Sequence, residues 1–375
     1  METWLRDTRE QFLSPYAFHS KDSKGRKVGE PPCTIRSEFE RDTGRIIYSQ
    51  AFRRLRHKTQ VFFNPQNDHI CSRIEHVIYV SYIAKTIAKS LHLNLDLVEA
   101  ISLSHDLGHA PFGHTGEKIL DDYVKRTDPD AFFQHEYQGL RVVDLLMSRP
   151  GSVRCGLNLC FEVRDGIASH CGENHGEYVL QPFRDKPESL IEEKPTGRPM
   201  PATLEGCVVR IADKIAYVGR DIEDAARAGL MDFDNIPPAI SSALGSTNSQ
   251  IIHRLVTDTI QNSLDRDEII LSREAGEAMR ALLSENVRRI YQSEKVKRYE
   301  GRVKTTMEGL FEGLISALKD PEKSKSSGNP TFVEFITYSE AYPEKDAPAY
   351  RLVADYISGM TDSFADKCFQ NIYWV

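Results

Sequence analysis

The feature that most constrains this chain is the run Ser104-His105-Asp106-Leu107-Gly108-His109-Ala110-Pro111-Phe112-Gly113-His114. It puts three histidines and an aspartate within ten residues, and seven of the chain's twelve histidines fall between positions 69 and 135. Imidazole is the commonest metal ligand and the usual acid or base near neutral pH. A fold that gathers such groups must hold them on a rigid apolar frame, so the flanking periodicity decides what that frame is.

That periodicity is helical. Ile46, Ile47, Ala51, Phe52 and Leu55 form an apolar stripe with the spacing of one helix face. A second helix is expected over about 72–93, where His76 shares its face with Val80, Ile83 and Ile87 and Arg73 stands one turn earlier. A third runs from about Leu95 to Gly108, carries His105 at its end and is stopped by Pro111, which cannot continue a helix. Gly108, Pro111 and Gly113 turn the chain and bring His109 and His114 back over this end, and a fourth helix starts near 114–117. His135 opens another.

Residues 155–180 read as short helices or a hairpin, and the proline-rich 181–202 as a surface loop. A strong helix follows over 204–227, with Asp213, Tyr217 and Asp221 stacked on one face and Asp224 a turn further. Carboxylates among so many apolar neighbours must be paired, protonated or bound to a cation; salt bridges to Arg210 and Arg220 are the plain alternative. Residues from about 235 to 319 read as helical throughout, a polar break over 319–330 leads to a last helix pair ending over 350–367, and strand-like alternation is confined to 332–338. The fold class expected is all-α: a compact multi-helix assembly with an irregular N-terminal arm over 1–44, a catalytic core over 45–235, and a helical C-terminal region over 236–375 packed on that core. The arm would wrap its own domain or reach a neighbouring subunit.

Composition enters as exclusion. A net charge of −7 argues against a general nucleic-acid binder. The basic run Arg53-Arg54-Leu55-Arg56-His57-Lys58 leaves nucleic acid as a secondary ligand only. No apolar run reaches the roughly 18–20 residues that span a bilayer, and the charged N-terminus has no signal-peptide core. Seven scattered cysteines suit free thiols in a reducing cytoplasm. Cys155, Cys160, His170, Cys171 and His175 lie close in sequence, but their spacings do not match the common zinc ribbons.

Taken together, His76, His105, Asp106 and Asp213 offer two imidazoles and two carboxylates from three helices. That donor set suits a divalent ion with positions left open for water or substrate. The pattern His … His-Asp … Asp resembles the HD phosphohydrolase superfamily. The segments 41–47, 51–55, 58–62, 73–76, 105–114 and 210–217, with Gly359-Met360-Thr361-Asp362 near the end, resemble more closely the bacterial dGTPase-like deoxynucleoside triphosphate triphosphohydrolases, over nearly the whole chain. No SAM domain, such as the vertebrate relatives carry, is present.

The resemblance implies an HD-domain fold and roles position by position. His76, His105, Asp106 and Asp213 match the metal ligands, for Mg²⁺ or Mn²⁺ first and other transition metals after. His114 and Glu117 match a histidine–carboxylate pair, and His135 another active-site histidine. Arg73 and Lys214 match groups that hold the triphosphate. Tyr217 and Asp221 match residues at the sugar, where a tyrosine ring against C2′ leaves no room for a 2′-hydroxyl. Gln60 and Val61 match residues under sugar and base, and Tyr291-Gln292 a base-side pair. Position 283, where the family carries an arginine, is leucine. The resemblance also implies a homo-oligomer, with dNTP as substrate and a second dNTP as candidate activator between subunits.

The chemistry suits these residue types. A triphosphate carries about four negative charges that Arg73, Lys214 and a metal must offset before an anionic nucleophile approaches. Attack at the α-phosphorus would release nucleoside and triphosphate, with His114 and Glu117 protonating the leaving oxygen or activating water. Two other readings remain: another HD-type nucleotide phosphohydrolase or phosphodiesterase, and a catalytically quiet nucleotide sensor.

Overall fold

The computed structural model describes residues 10–60, 71–149, 156–171, 178–192 and 199–374. Helices dominate, and the regular strands among the described residues are the two-residue pair Val179–Leu180 and Ile269–Ile270, antiparallel with Val179 opposite Ile270.

The centre is a trio of helices, Arg73–Ser90, Leu95–Ser104 and Leu204–Val218, packed on one another. Each begins at a residue suited to its start. The Ser72 amide donates to Glu75 Oε2 at 2.8 Å; Asn94 Oδ1 accepts from the amides of Asp96 and Leu97; Thr203 Oγ1 accepts from the Gly206 amide at 3.0 Å. Such caps satisfy amides that have no partner inside the helix. The facing stripes carry Ile83, Ile87, Leu97, Ile101, Ile211 and Ile215, all buried in one core, each worth about 1.5–3 kcal/mol of burial. Helices Glu38–Tyr48 and Phe161–Ser169 pack on this trio, and His135–Arg141 packs on Phe161–Ser169.

A second core forms where Glu294–Lys319 meets Gly113–Thr127, Ala349–Ser358 and Asp362–Tyr373. Leu120, Val124, Met307, Leu310, Phe311 and Leu314 are buried there. Helices Asn248–Ser263 and Arg273–Asn286 contribute Ile251, Leu255, Met279 and Leu282 to the first core instead. Residues beyond 235 therefore contribute to both cores. The histidine-rich run is strung between them: Leu107 is buried in the first, Ala110 and Phe112 in the second.

Several sequence expectations need correction. The first long helix begins at Glu38, inside the stretch expected as an arm, because Ser37 and Glu40 form a reciprocal capping box. The described part of the arm wraps its own domain: Glu205 accepts the amides of Phe18 and Asn94 at 2.9 and 3.0 Å, and Arg26 pairs with Glu38 and Asp42. The helix expected over 204–227 breaks at Gly219, leaving Arg220–Arg227 as a separate helix. A Cβ on Gly219 would sit 2.4 Å from Asn248 Oδ1, so the close approach there uses its missing side chain. The strand-like 332–338 lies in helix Pro330–Ala341, where Asn329 caps the amides of Thr331 and Phe332 and Phe335 and Ile336 are buried together. The loop 181–202 holds a short helix, Ser189–Glu192.

Candidate active site

The central trio brings four of the sequence-picked groups to one point. His76 projects from Arg73–Ser90, His105 and Asp106 from the end of Leu95–Ser104, and Asp213 from Leu204–Val218. His76 Nε2 lies 3.0 Å from Asp213 Oδ1 and 3.9 Å from Asp106 Oδ2. His105 Nε2 lies 3.6 Å from Asp106 Oδ1 and 3.8 Å from Asp213 Oδ1. His105 Nδ1 is 2.7 Å from the Ser102 carbonyl, which can only accept, so Nδ1 carries the hydrogen and Nε2 presents a lone pair. That Nε2 is buried and has no hydrogen-bond partner. An orphaned acceptor facing two carboxylates and a second imidazole fits a cation.

The charges agree with this. Burial alone would push His76 down, but Asp213 and Asp106 outweigh it and hold it above its ordinary value. Burial would push Asp213 up, but His76, His105 and His170 hold it down at about 2. Asp106 is likewise held well below its ordinary value, against burial, by His109, Arg73 and His105. Both carboxylates are thus ionised at neutral pH, the form a hard divalent ion needs.

Arg73 is fully buried beneath this group. Its Nη1 donates to Asp106 Oδ2 at 2.9 Å, while its Nε and Nη2 have no hydrogen-bond partner. Those two donors suit an anionic oxygen. The chain makes room for Arg73 with a left-handed turn: Phe112 and Gly113 both have φ of 63°. A Cβ on Gly113 would come within 3.3 Å of Arg73 Nη2. This turn is held from the far end of the chain. Asp362 Oδ1 accepts the Phe112 amide at 2.9 Å, and its Oδ2 accepts the Thr59 amide at 3.0 Å. Lys58, from the basic run, is buried there and donates to the carbonyls of His109 and Ser358.

A second cluster adjoins the first. His109 Nε2 lies 3.0 Å from Asp106 Oδ1, and the His109 ring stacks on His135 with centroids 3.8 Å apart. Glu117 accepts from the backbone amide of His135 at 2.9 Å, lies 2.9 Å from its Nδ1, and is 3.4 Å from His114 Nδ1. Glu117 therefore bridges His135 and His114, and it lies nearer to His135. Burial opposes charge on both partners, but the pairing wins: His135 is raised well above its ordinary value and Glu117 is held well below. His114 is mostly exposed, with 68% of its side chain open, so it faces incoming molecules. The glycines allow this approach: a Cβ on Gly108 would overlap the His135 carbonyl at 2.0 Å and the Gly139 amide nitrogen at 2.1 Å.

The remaining residues fall beside these clusters. Tyr291 Oη donates to Asp221 Oδ2 at 2.5 Å, and burial pushes Asp221 up to about 7. Tyr217 lies on the Asp213 helix, half-buried, and Lys214 is buried on the same helix. Gln60, His114 and Tyr291 share the wall of a cavity of about 460 Å³, with Lys118, Tyr299 and Lys304 across it. Gln292 is exposed beside Tyr291. Leu283 is buried in the first core. Val61, Cys155 and His175 lie outside the described residues. A cavity of about 530 Å³ lined by Lys27, Arg141 and Arg351 holds no histidine, and its Arg141 is committed to Asp355.

Sequence reasoning missed two residues of this centre. His109 was expected only to fold back over the site; it is a buried member of both clusters. His170 was grouped with Cys155, Cys160, Cys171 and His175. In the structure Cys160 stands apart, its amide bonded to Asp42, while the His170 ring lies 4.9 Å from His105 and 5.2 Å from His135. A usable signal was the helix Phe161–Ser169, buried along its length, which delivers its C-terminal histidine to the interior. The salt-bridge alternative holds for Asp224, which pairs with Arg220; Arg220 pairs otherwise with Glu223, and Arg210 donates to the Ser169 carbonyl at 3.1 Å.

Comparison with known proteins bears on these clusters. The HD domain model matches residues 73–218, and the phosphohydrolase-associated domain model matches residues 269–371. A protein of Caldanaerobacter subterraneus subsp. tengcongensis is 39% identical over 363 residues, 97% of this chain and 93% of that protein. One of Desulfatibacillum aliphaticivorans is 38% identical, covering 97% and 95%, and one of Clostridium tetani is 35% identical, covering 96% and 93%. Each is called a deoxyguanosinetriphosphate triphosphohydrolase-like protein. No helix among the described residues is long and apolar enough to cross a membrane.

Proposed function

The chain belongs to the family of HD-domain, deoxyguanosinetriphosphate triphosphohydrolase-like proteins, and on that premise we propose that it hydrolyses deoxynucleoside triphosphates to deoxynucleoside and inorganic triphosphate. The observation that carries the reading is the convergence of His76, His105, Asp106 and Asp213, with the orphaned His105 Nε2 aimed into the group. These four residues would hold a divalent ion, Mg²⁺ or Mn²⁺, which supplies Lewis-acid polarisation of a phosphoryl oxygen.

The chain's own residues account for the rest. Arg73 offers its two unpartnered nitrogens to phosphate oxygens and keeps Asp106 in place; Lys214 adds charge beside Asp213. His114, open to the cavity, exchanges a proton with the leaving 5′-oxygen, and Glu117 and His135 orient it and supply the charge balance. Asp221, bonded to Tyr291, and Tyr217 line the sugar. Gln60, on the wall of the same cavity as His114 and Tyr291, lies under sugar and base. Tyr291-Gln292 forms the base side. A second dNTP would act between subunits of a homo-oligomer in the cytoplasm.

Incubation of the full chain with each dNTP and rNTP, with Mg²⁺ or Mn²⁺, tests this. Free deoxynucleoside and triphosphate are the expected products, from dGTP first. Pyrophosphate with monophosphate, or no product from any dNTP even with a second dNTP present, rejects the reading.

A further inference from the structure

That chemistry uses His135 through its Nδ1 side, toward Glu117, and leaves the donors on its other side, His170 and Cys171, without a role. His135 Nε2 lies 3.2 Å from His170 Nε2 and 3.3 Å from Cys171 Sγ. The other nitrogen of each ring is already committed as a donor. His135 Nδ1 faces the Glu117 carboxylate at 2.9 Å, and His170 Nδ1 faces the Ile167 carbonyl at 2.7 Å. A carbonyl and an ionised carboxylate only accept, so both Nδ1 atoms carry hydrogens. His170 Nε2 then presents a lone pair to His135 Nε2, which carries a hydrogen while that ring is charged and a lone pair when it is not, with the Cys171 sulfur beside them inside the protein. Two acceptors at that distance repel unless something positive stands between them.

That something is a proton or a metal ion; one proton serves a single pair of these atoms, whereas a metal engages all three donors at once. Donor atoms on one tetrahedral zinc, with bonds of about 2.0–2.3 Å, lie roughly 3.3–3.6 Å apart. The observed 3.2 and 3.3 Å need only a slight opening. The back-side hydrogen bonds to Glu117 and Ile167 are the type that orient metal-ligating histidines, and His105 uses the same device against Ser102. We propose that His135, His170 and Cys171 form a second metal site, selective for a thiophilic divalent ion of the zinc type, next to the carboxylate-rich centre.

The two donor sets differ in kind. The first has two carboxylates and suits hard ions; the second has two imidazoles and a thiolate and suits borderline-soft ones. Binding expels the thiol proton and the proton shared by the two imidazoles to solvent. Three protein donors leave one position for water or a ligand oxygen. The inference does not rest on the hydrolase reading, because spectra and stoichiometry test it without substrate.

The full chain would be stripped with a chelator and loaded with Co²⁺ or Zn²⁺. The expected results are a sulfur-to-cobalt charge-transfer band, two zinc ions per chain, and one zinc ion with no band in Cys171→Ser. Paired loss of the first centre in His76→Ala/Asp213→Ala should leave the band. In the unaltered protein, zinc should slow alkylation of Cys171, mapped by mass spectrometry, by about tenfold or more, because the ion occupies the sulfur lone pair that would attack the reagent; this arm holds even where a variant fails to fold. Cobalt bound without a thiolate band, equal zinc content in Cys171→Ser and its parent, or unprotected Cys171 would overturn the proposal and leave a bridging proton only.

Discussion

The two corners of the candidate site are built in different ways. The corner around Asp213 draws its groups from three long helices of one core, each set by its helix face. The corner around His135 draws on a left-handed turn, a helix start, a helix end and two glycines in backbone contact. The first depends on rigid elements and joins two carboxylates to two imidazoles; the second depends on how closely backbones approach and gathers imidazoles around one carboxylate, Glu117. The contrast teaches that charge placement and proton handling are separable here, and four expected outcomes test that separation.

The largest effect should come from the helix-borne corner. Asp213→Ala removes a carboxylate shared by His76 and His105, and turnover of dGTP should fall about a thousandfold or more, the scale of losing a principal electrostatic stabiliser. Metal content, read by elemental analysis, should fall with it. A variant that keeps both would break the comparison at its root.

Glu117→Gln comes next. It uncouples His135 and His114 without touching the acidic corner, so kcat should drop about 100-fold with KM little changed. The ion bound by His76, His105, Asp106 and Asp213 should remain at unchanged stoichiometry. Loss of that ion would show that the corners are one unit.

Gly108→Ala probes the backbone contact. Its Cβ would overlap the His135 carbonyl and the Gly139 amide, and neither can move as a side chain does. The strain should cost about 1–3 kcal/mol, seen as a lower melting temperature, with loss of turnover well below that temperature.

The smallest effect concerns pH. Burial raises Asp221 from 3.8 to about 7. Between those values the unfolded chain has lost this proton and the folded chain keeps it. Stability from this group therefore falls as pH rises from about 4 to about 7, and is level outside that window. Melting curves of metal-free Asp221→Asn should lack this decline, so the variant should gain a few degrees on its parent across the window. A constant gap would mean that Asp221 is ionised throughout.

The same contrast explains what was legible in the sequence. His76 stands on an apolar helical stripe, and His105-Asp106 ends a periodic helix; helical spacing alone placed them, and the resemblance joined them to Asp213. For His109 the turn predicts only a return over the site, and for His170 the sequence predicts no place in it, because a turn and a helix end carry no period. His170 was drawn to nearby cysteines in sequence, whereas packing of Phe161–Ser169 sends it to His105. The left-handed Phe112 leaves no signature, since a bulky residue there is set by Asp362, distant along the chain. The helix over 330–341 was misread because Phe332, Val333, Phe335 and Ile336 fit both periods, and the Asn329 cap decided between them.

The bracket that Ser358 and Asp362 place on the Lys58–Phe112 region has a consequence for biosynthesis. During translation the ribosome emits all four metal-ligand candidates well before it emits this clasp. A nascent chain arrested past Asp213 would hold the ingredients of the centre without the turn that seats Arg73. The seat of Arg73 is therefore complete only once the C-terminal residues have been made.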